Sequence, residues 1–292
     1  MDLADYEKAR TSVDLPTGTA SIAEFGEGPV ALFIHGVFMN GLLWRNAIGQ
    51  VSDIRRCVAV DLPAHGQTIA GPNQDLSLPG LADWVHSVCV QRGYEPVDVV
   101  ANDTGGAIAQ VLAARHPELV RTLTLTNCDA HDNLPPAAFR DTAELAGSGA
   151  LASGVAAMVA DLDLAKSEVG MGIGYERPRD VPDDIVLAYL APLVATEGRG
   201  VQFERYVTSL DAADLLAVEG DLRAFSAPVL IVWGTGDRFF EVDWAYWLRD
   251  LLPGTKNVVE LDGAMLFFPD ERADQFAVEL RRFWTQWSGG RR

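Results

Sequence analysis

The stretch from Val97 to His116 constrains this chain more than any other. Val97-Asp98-Val99-Val100-Ala101-Asn102 reads as a buried strand, and Ala107 to His116 reads as a helix. Only Asp103-Thr104-Gly105-Gly106 separates them. A strand that enters a helix through so tight a turn needs small residues around it, here Ala101 and Gly105, and it lifts the central residue to the top of a sheet. That residue is Asp103. A carboxylate so placed can attack an sp3 carbon and form an alkyl-enzyme ester.

The same rhythm runs along most of the sequence. Thr19 to Phe25 alternates like a half-exposed strand. Pro29 to Ile34 is a continuous apolar run that ends in His35-Gly36. Leu42 to Val51 is helical, and Cys57 to Val60 is a strand closing on Asp61-Leu62-Pro63-Ala64-His65-Gly66. Leu78 to Arg92 has helical period, with Pro79 in its first turn. A strand over Leu123 to Thr126 follows the Asp103 helix. From about Asp132 to Phe225 there are helical stretches and no convincing strand. The alternation then resumes with a strand over Pro228 to Trp233, a helix over Trp244 to Leu252, a strand over Asn257 to Leu261 and a last helix over Asp270 to Trp287.

Strands alternating with helices predict a mainly parallel sheet covered on both faces. The expected organisation is one α/β core, residues 1–131 and 226–292, with a helical lid inserted at 132–225. Such a lid lies over the strand C-termini, where open α/β sheets bind ligands. The tail Gly289-Gly290-Arg291-Arg292 is expected to fray.

The 292 residues are 48% hydrophobic, enough for one large core. A formal net charge of -18 argues against nucleic acid or an anionic membrane as a partner. The three cysteines, Cys57, Cys89 and Cys128, have no metal-binding spacing, so no metal is expected and the thiols should be buried and reduced. With no apolar run behind Met1, the expected location is the cytoplasm. The expected partner is a small apolar molecule, bound by a monomer or homodimer.

The ordered landmarks resemble the α/β-hydrolase superfamily. They are His35-Gly36, Asp61 to Gly66, Asp103 at the tight turn, and Trp233-Gly234-Thr235-Gly236-Asp237. With aspartate at the turn, the chain is similar to the haloalkane dehalogenase and epoxide hydrolase branch. The resemblance implies an α/β-hydrolase fold in which Asp103 is the nucleophile. The N–H of Thr104 and that of Val37 or Phe38 would form the oxyanion site. His35 would support that loop, Asn40 would hydrogen-bond it, and Asn102 would reach the pocket. Asp237 or Asp129 would orient a base. No organic cofactor is implied.

Three departures accompany the resemblance. The family's histidine base falls on Met265, and no histidine occurs beyond His131. A thioether takes no proton at neutral pH. His131, where sheet meets lid, is the candidate substitute. Haloalkane dehalogenases carry tryptophan after the nucleophile and often asparagine after His-Gly, where this chain has Thr104 and Val37. Epoxide hydrolases polarise the epoxide with lid tyrosines, a role open to Tyr175, Tyr189 and Tyr206. Met158, Met171, Leu187, Leu190 and Phe203 are candidate pocket lining.

Two functions follow. The first is hydrolysis of a small apolar electrophile, a halide or epoxide, through an ester on Asp103. The second is a catalytically degenerate or non-hydrolytic protein that binds or traps a small ligand. Ester hydrolysis fits less well, because no serine occupies the turn.

Overall fold

The computed structural model describes residues 1–94 and 96–287. The tail expected to fray, Gly289 to Arg292, lies outside them. Nine strands form one sheet: β1 (Arg10–Leu15), β2 (Gly18–Phe25), β3 (Val30–Ile34), β4 (Arg56–Asp61), β5 (Ile69–Ala70), β6 (Val97–Asp103), β7 (Val120–Cys128), β8 (Val229–Gly234) and β9 (Thr255–Leu261). The order is β1-β2-β4-β3-β6-β7-β8-β9, with β5 paired to β2. From β4 across to β9 every pairing is parallel; β2 pairs antiparallel with β1, β4 and β5.

β6 lies between β3 and β7 in the middle of the sheet, and Val97 to Asn102 are all buried. Asp98 sits in this apolar run because it is fully paired. It accepts from Arg55 Nε, Arg121 Nε and the Thr122 hydroxyl, each at 2.8 Å. Helices flank the sheet in two groups. Leu78–Arg92, Thr104–Arg115 and Ala212–Leu222 pack together, as do Arg45–Val51, Phe268–Glu271 and Ala273–Trp287. The first helix starts under a Ser77 cap and ends at Gly93 in the left-handed region.

The α/β-hydrolase expectation holds, with differences at its edges. Leu3–Lys8, β1 and β5 were not foreseen. They are short and mixed in polarity, and only pairing with β2 or packing on the core orders them. The expected last helix is two, with Arg272 between them. Helices lie between β7 and β8, and of these Ala212–Leu222 packs on the core helices Thr104–Arg115 and Leu78–Arg92. The part covering the strand ends is therefore shorter than 132–225. Its amphipathic sequence does not reveal which surface it covers.

The insertion is tied to the core at separate points. Arg199 donates to the carbonyls of Thr68 at 2.6 Å and Gly66 at 2.8 Å. Glu271 accepts from the backbone N–H groups of Glu176 and Arg177. The most buried tie centres on Arg45, which donates to Asp270 at 2.8 Å and to the Tyr189 hydroxyl at 2.9 Å. Breaking a buried ion pair from one side strands the other charge, at about 3–5 kcal/mol. Arg45→Met is expected to lose about that much in urea unfolding at unchanged m-value; a loss below about 1 kcal/mol would mean that Asn46 alone satisfies Asp270.

Candidate active site

Asp103 occupies a backbone conformation that few side-chain-bearing residues adopt, φ 58° and ψ −137°. Such strain costs on the order of 1–3 kcal/mol and persists only where the surroundings enforce it. Here they do so by close approach. A Cβ on Gly105 would meet the carbonyl oxygens of His35 and Ile34 at 2.5 Å. One on Gly36 would meet Asp103 Oδ2 at 2.1 Å. The carboxylate accepts from Val37 N–H at 2.9 Å and from the backbone of Thr104. Both expected N–H donors thus converge on it. Phe38 contributes its ring to the cavity wall, against Phe139 and Phe203.

His35 is fully buried and neutral. Its Nδ1 pairs with the Gly36 carbonyl at 2.7 Å and its Nε2 accepts from Leu62 N–H at 2.9 Å, which fixes the Nδ1–H tautomer. Burial pushes its pKa down to about 4. These bonds join the loop carrying Val37 to Leu62.

A cavity of about 420 Å³ opens above Asp103, in the range of small-molecule sites. Val37, Phe38, Thr104 and Asp129 line it, with apolar side chains from the insertion. Met158, Met171 and Leu190 are among these; Leu187 and Phe203 are not. Among the described residues, no histidine, lysine, arginine or tryptophan lines it.

Several expected residues are placed elsewhere. His131 points away from the cavity: its Nδ1 meets Glu219 at 2.5 Å and its ring lies 4.9 Å from that of Trp247. The left-handed backbone at His131, φ 55°, turns the side chain toward those partners. It is not placed to serve as a base at Asp103. Met265 does not line the cavity either. The turn that closes with Phe268 N–H donating to the Met265 carbonyl presents Leu266 and Phe267 instead. Neither of these two residues is basic.

Asn102 points sideways, donating to Thr126 Oγ1 at 3.0 Å and to the Leu266 carbonyl at 3.1 Å. It fixes the Leu266 loop against β6. Asn40 accepts from Leu42 N–H and donates to the Ala188 carbonyl, joining its loop to the insertion. Tyr175 and Tyr189 belong to the Arg45–Asp270 tie. Tyr206 is buried against His65, and its hydroxyl has no partner among the described residues.

Asp237 accepts from Asn127 Nδ2 at 2.7 Å and Phe239 N–H at 2.9 Å. Asn127, absent from the sequence reading, also brackets Gly234 and so sets the β8 end. Its only sequence signal is a carboxamide at the end of an apolar strand. Asp129 is 1% exposed. Asp103 and Asp237 are half-buried beside it, and the three carboxyls are in mutual electrostatic contact. Burial raises Asp103 to about 7, opposed by the Thr104 and Val37 N–H groups and reinforced by Asp237. Burial likewise raises Asp237 to about 7, and holds Asp129 well above the carboxylate range with help from the Asp103 charge.

Comparison with known proteins accords with this geometry. The α/β-hydrolase-fold family profile matches residues 29–271, and the chain belongs to that family. It is similar to a pimeloyl-[acyl-carrier protein] methyl ester esterase of Aeromonas hydrophila, 30% identical over 105 residues, 36% of this chain and 40% of that protein. It is similar to a haloalkane dehalogenase of Bradyrhizobium diazoefficiens, 36% identical over 97 residues, 33% of this chain and 31% of that protein. It also resembles epoxide hydrolase 1 of Caenorhabditis elegans, 33% identical over 100 residues, 34% of this chain and 25% of that protein. The match spans less than half the length of each of these relatives.

Among solved structures, haloalkane dehalogenase DbeA from Bradyrhizobium elkani superposes with TM-score 0.77 at 21% identity over 95% of this chain and 97% of its own. An α/β-hydrolase-fold protein from Burkholderia ambifaria gives 0.79 at 21% over 96% and 97%. At such identity the likeness concerns the fold.

Burying Asp103 has a pH signature. Its proton is released near 3.8 at the ordinary value and near 7 in the fold. The native state therefore holds more protons in between, and stability is lost as pH rises through that window. Asp103→Asn is expected to raise the melting temperature at pH 8, by roughly 2–4 °C per kcal/mol relieved, and to change it little at pH 4. Equal shifts at both pH values in a thermal melt would refute this.

Proposed function

We propose that the protein is a hydrolase of the haloalkane dehalogenase and epoxide hydrolase type, in which Asp103 attacks a small apolar electrophile and forms an alkyl ester. One observation carries the reading: a strained aspartate whose carboxylate rests on two backbone N–H groups beneath an apolar cavity of about 420 Å³. The N–H groups that hold the carboxylate are placed to hold the oxyanion when water attacks the ester. The apolar walls favour an uncharged substrate of few carbons.

A second reading, trapping of a ligand without turnover, is favoured by a different observation. No histidine, lysine or arginine lines the cavity among the described residues. Loss of a general base typically slows such a step about 10²–10⁴-fold.

Intact-protein mass spectrometry after exposure to alkyl bromides and terminal epoxides tests both. A mass increase mapping to Asp103, absent in Asp103→Asn, is expected. Persistence of that adduct without product would favour trapping. If no reagent adds to the wild type, Asp103 is not a nucleophile. Gly36→Ala should slow hydrolysis of the ester by at least about 10²-fold and so prolong the adduct, because its Cβ would displace Asp103 Oδ2 from Val37 N–H, and oxyanion donors are commonly worth that much.

A further inference from the structure

Asp129 is a buried carboxyl without a well-formed hydrogen bond among the described residues. Neither oxygen takes a hydrogen bond of ordinary geometry from a described residue, although the Thr104 hydroxyl lies beside them. The backbone of Asp129 is fixed, its carbonyl accepting from Gln110 Nε2 at 2.8 Å. Asp129 is among the residues lining the cavity with Asp103, whose strand position pairs with Cys128 in the β6–β7 register.

The groups facing Asp129 are Asp103, Asp237, the Thr104 hydroxyl, the phenol of Tyr206 and the thiol of Cys128. None is a cation. Two adjacent carboxyls without a cation do not both ionise. Hydrogen bonding decides which one does. Asp103 accepts from Val37 N–H at 2.9 Å and Asp129 has no hydrogen bond of ordinary geometry among the described residues, so the charge rests on Asp103 and the proton on Asp129.

We propose that Asp129 is the proton-transfer residue of a two-carboxylate cycle whose substrate is an epoxide. The inference rests on the reading of Asp103 above and narrows its substrate class. In the first step the Asp103 carboxylate bonds to an epoxide carbon and the ring C–O bond breaks. The departing oxygen takes the Asp129 proton, leaving a hydroxyalkyl ester and an Asp129 carboxylate. Ester formation has removed the Asp103 charge, so ionisation of Asp129 is no longer opposed by it.

In the second step the Asp129 carboxylate takes a proton from water, and the hydroxide adds to the ester carbonyl carbon. Val37 and Thr104 N–H groups face the oxyanion. The intermediate then expels the diol alkoxide, which takes the proton of the new hydroxyl. Asp103 returns as carboxylate and Asp129 as acid, so the cycle closes with water and epoxide consumed and a diol formed. An acid that later serves as base is an established use of a carboxyl pair. A haloalkane needs no proton on its leaving group, and no tryptophan or cation lines the cavity to hold a halide among the described residues.

The test compares wild type, Asp129→Asn and Tyr206→Phe with 1,2-epoxyhexane and 1-bromohexane, following ester formation by rapid-quench mass spectrometry and diol by chromatography. The expected result is that Asp129→Asn lowers the ratio of epoxide to bromide esterification rates about 10²–10⁴-fold. Any ester it forms from the epoxide should persist. Its epoxide rate should also lose the alkaline decline expected of wild type.

Equal slowing on both reagents would make Asp129 structural and overturn the proposal. So would an unchanged ratio, or a selective loss in Tyr206→Phe in place of Asp129→Asn. Wild type that is alkylated by the bromide but inert to the epoxide would overturn the Asp129 cycle and leave the Asp103 reading standing. Inertness to both would overturn the two together.

Discussion

The site depends on the contact between the Asp103 carboxylate and the loop after β3. The backbone at Asp103 is strained, and no local preference of the residue keeps it so. What keeps it is the surface it rests on. Gly36 and Gly105 leave no room for a Cβ, Val37 N–H donates to the carboxylate, and buried His35 holds the donor loop to Leu62. The strained turn and the donor loop define one another, since each fills the space that the other needs.

The insertion between β7 and β8 turns that turn into the floor of a cavity. It is fastened by charged and polar contacts, Arg45 to Asp270 and Tyr189, Arg199 to the loop after β4, and Glu271 to backbone N–H groups. These fix a shape, while the wall facing Asp103 stays largely apolar. Apolar walls exclude water, and that raises the cost of charge on every carboxyl below. Raised proton affinity at Asp103, Asp129 and Asp237 follows from the architecture. The loop carrying Met265 supplies Leu266 and Phe267 to the cavity, and neither can share such a charge. The consequence is a set of acids that influence one another and lower stability toward alkaline pH, a cost that functional sites commonly carry.

Much of this was legible in the sequence where the signal is local. Apolar runs ending in His35-Gly36 and in Asn102-Asp103 marked the central strands, because a strand buried on both faces has to be apolar throughout. The turn at Asp103 was legible because only small neighbours permit it. The short edge elements Leu3–Lys8, β1 and β5 were not, since their order comes from a partner strand distant in sequence. His131 and Met265 show the limit within a site. Each lies within a residue or two of a position that matters, yet one left-handed residue or one turn directs its side chain elsewhere.

By itself the sequence determined the α/β alternation, the tight turn carrying an aspartate, and the lack of a histidine anywhere after His131. These are properties of composition and short-range order. Only the tertiary structure decided that Leu266 lines the cavity, that Glu219 and Trp247 hold His131 away from it, and that Asp129 lies beside Asp103 without a well-formed hydrogen bond among the described residues. The physical reason is that proton affinity and side-chain direction are set by what packs within a few ångströms, and here those neighbours come from β3, β7, β8 and the inserted helices, far apart along the chain.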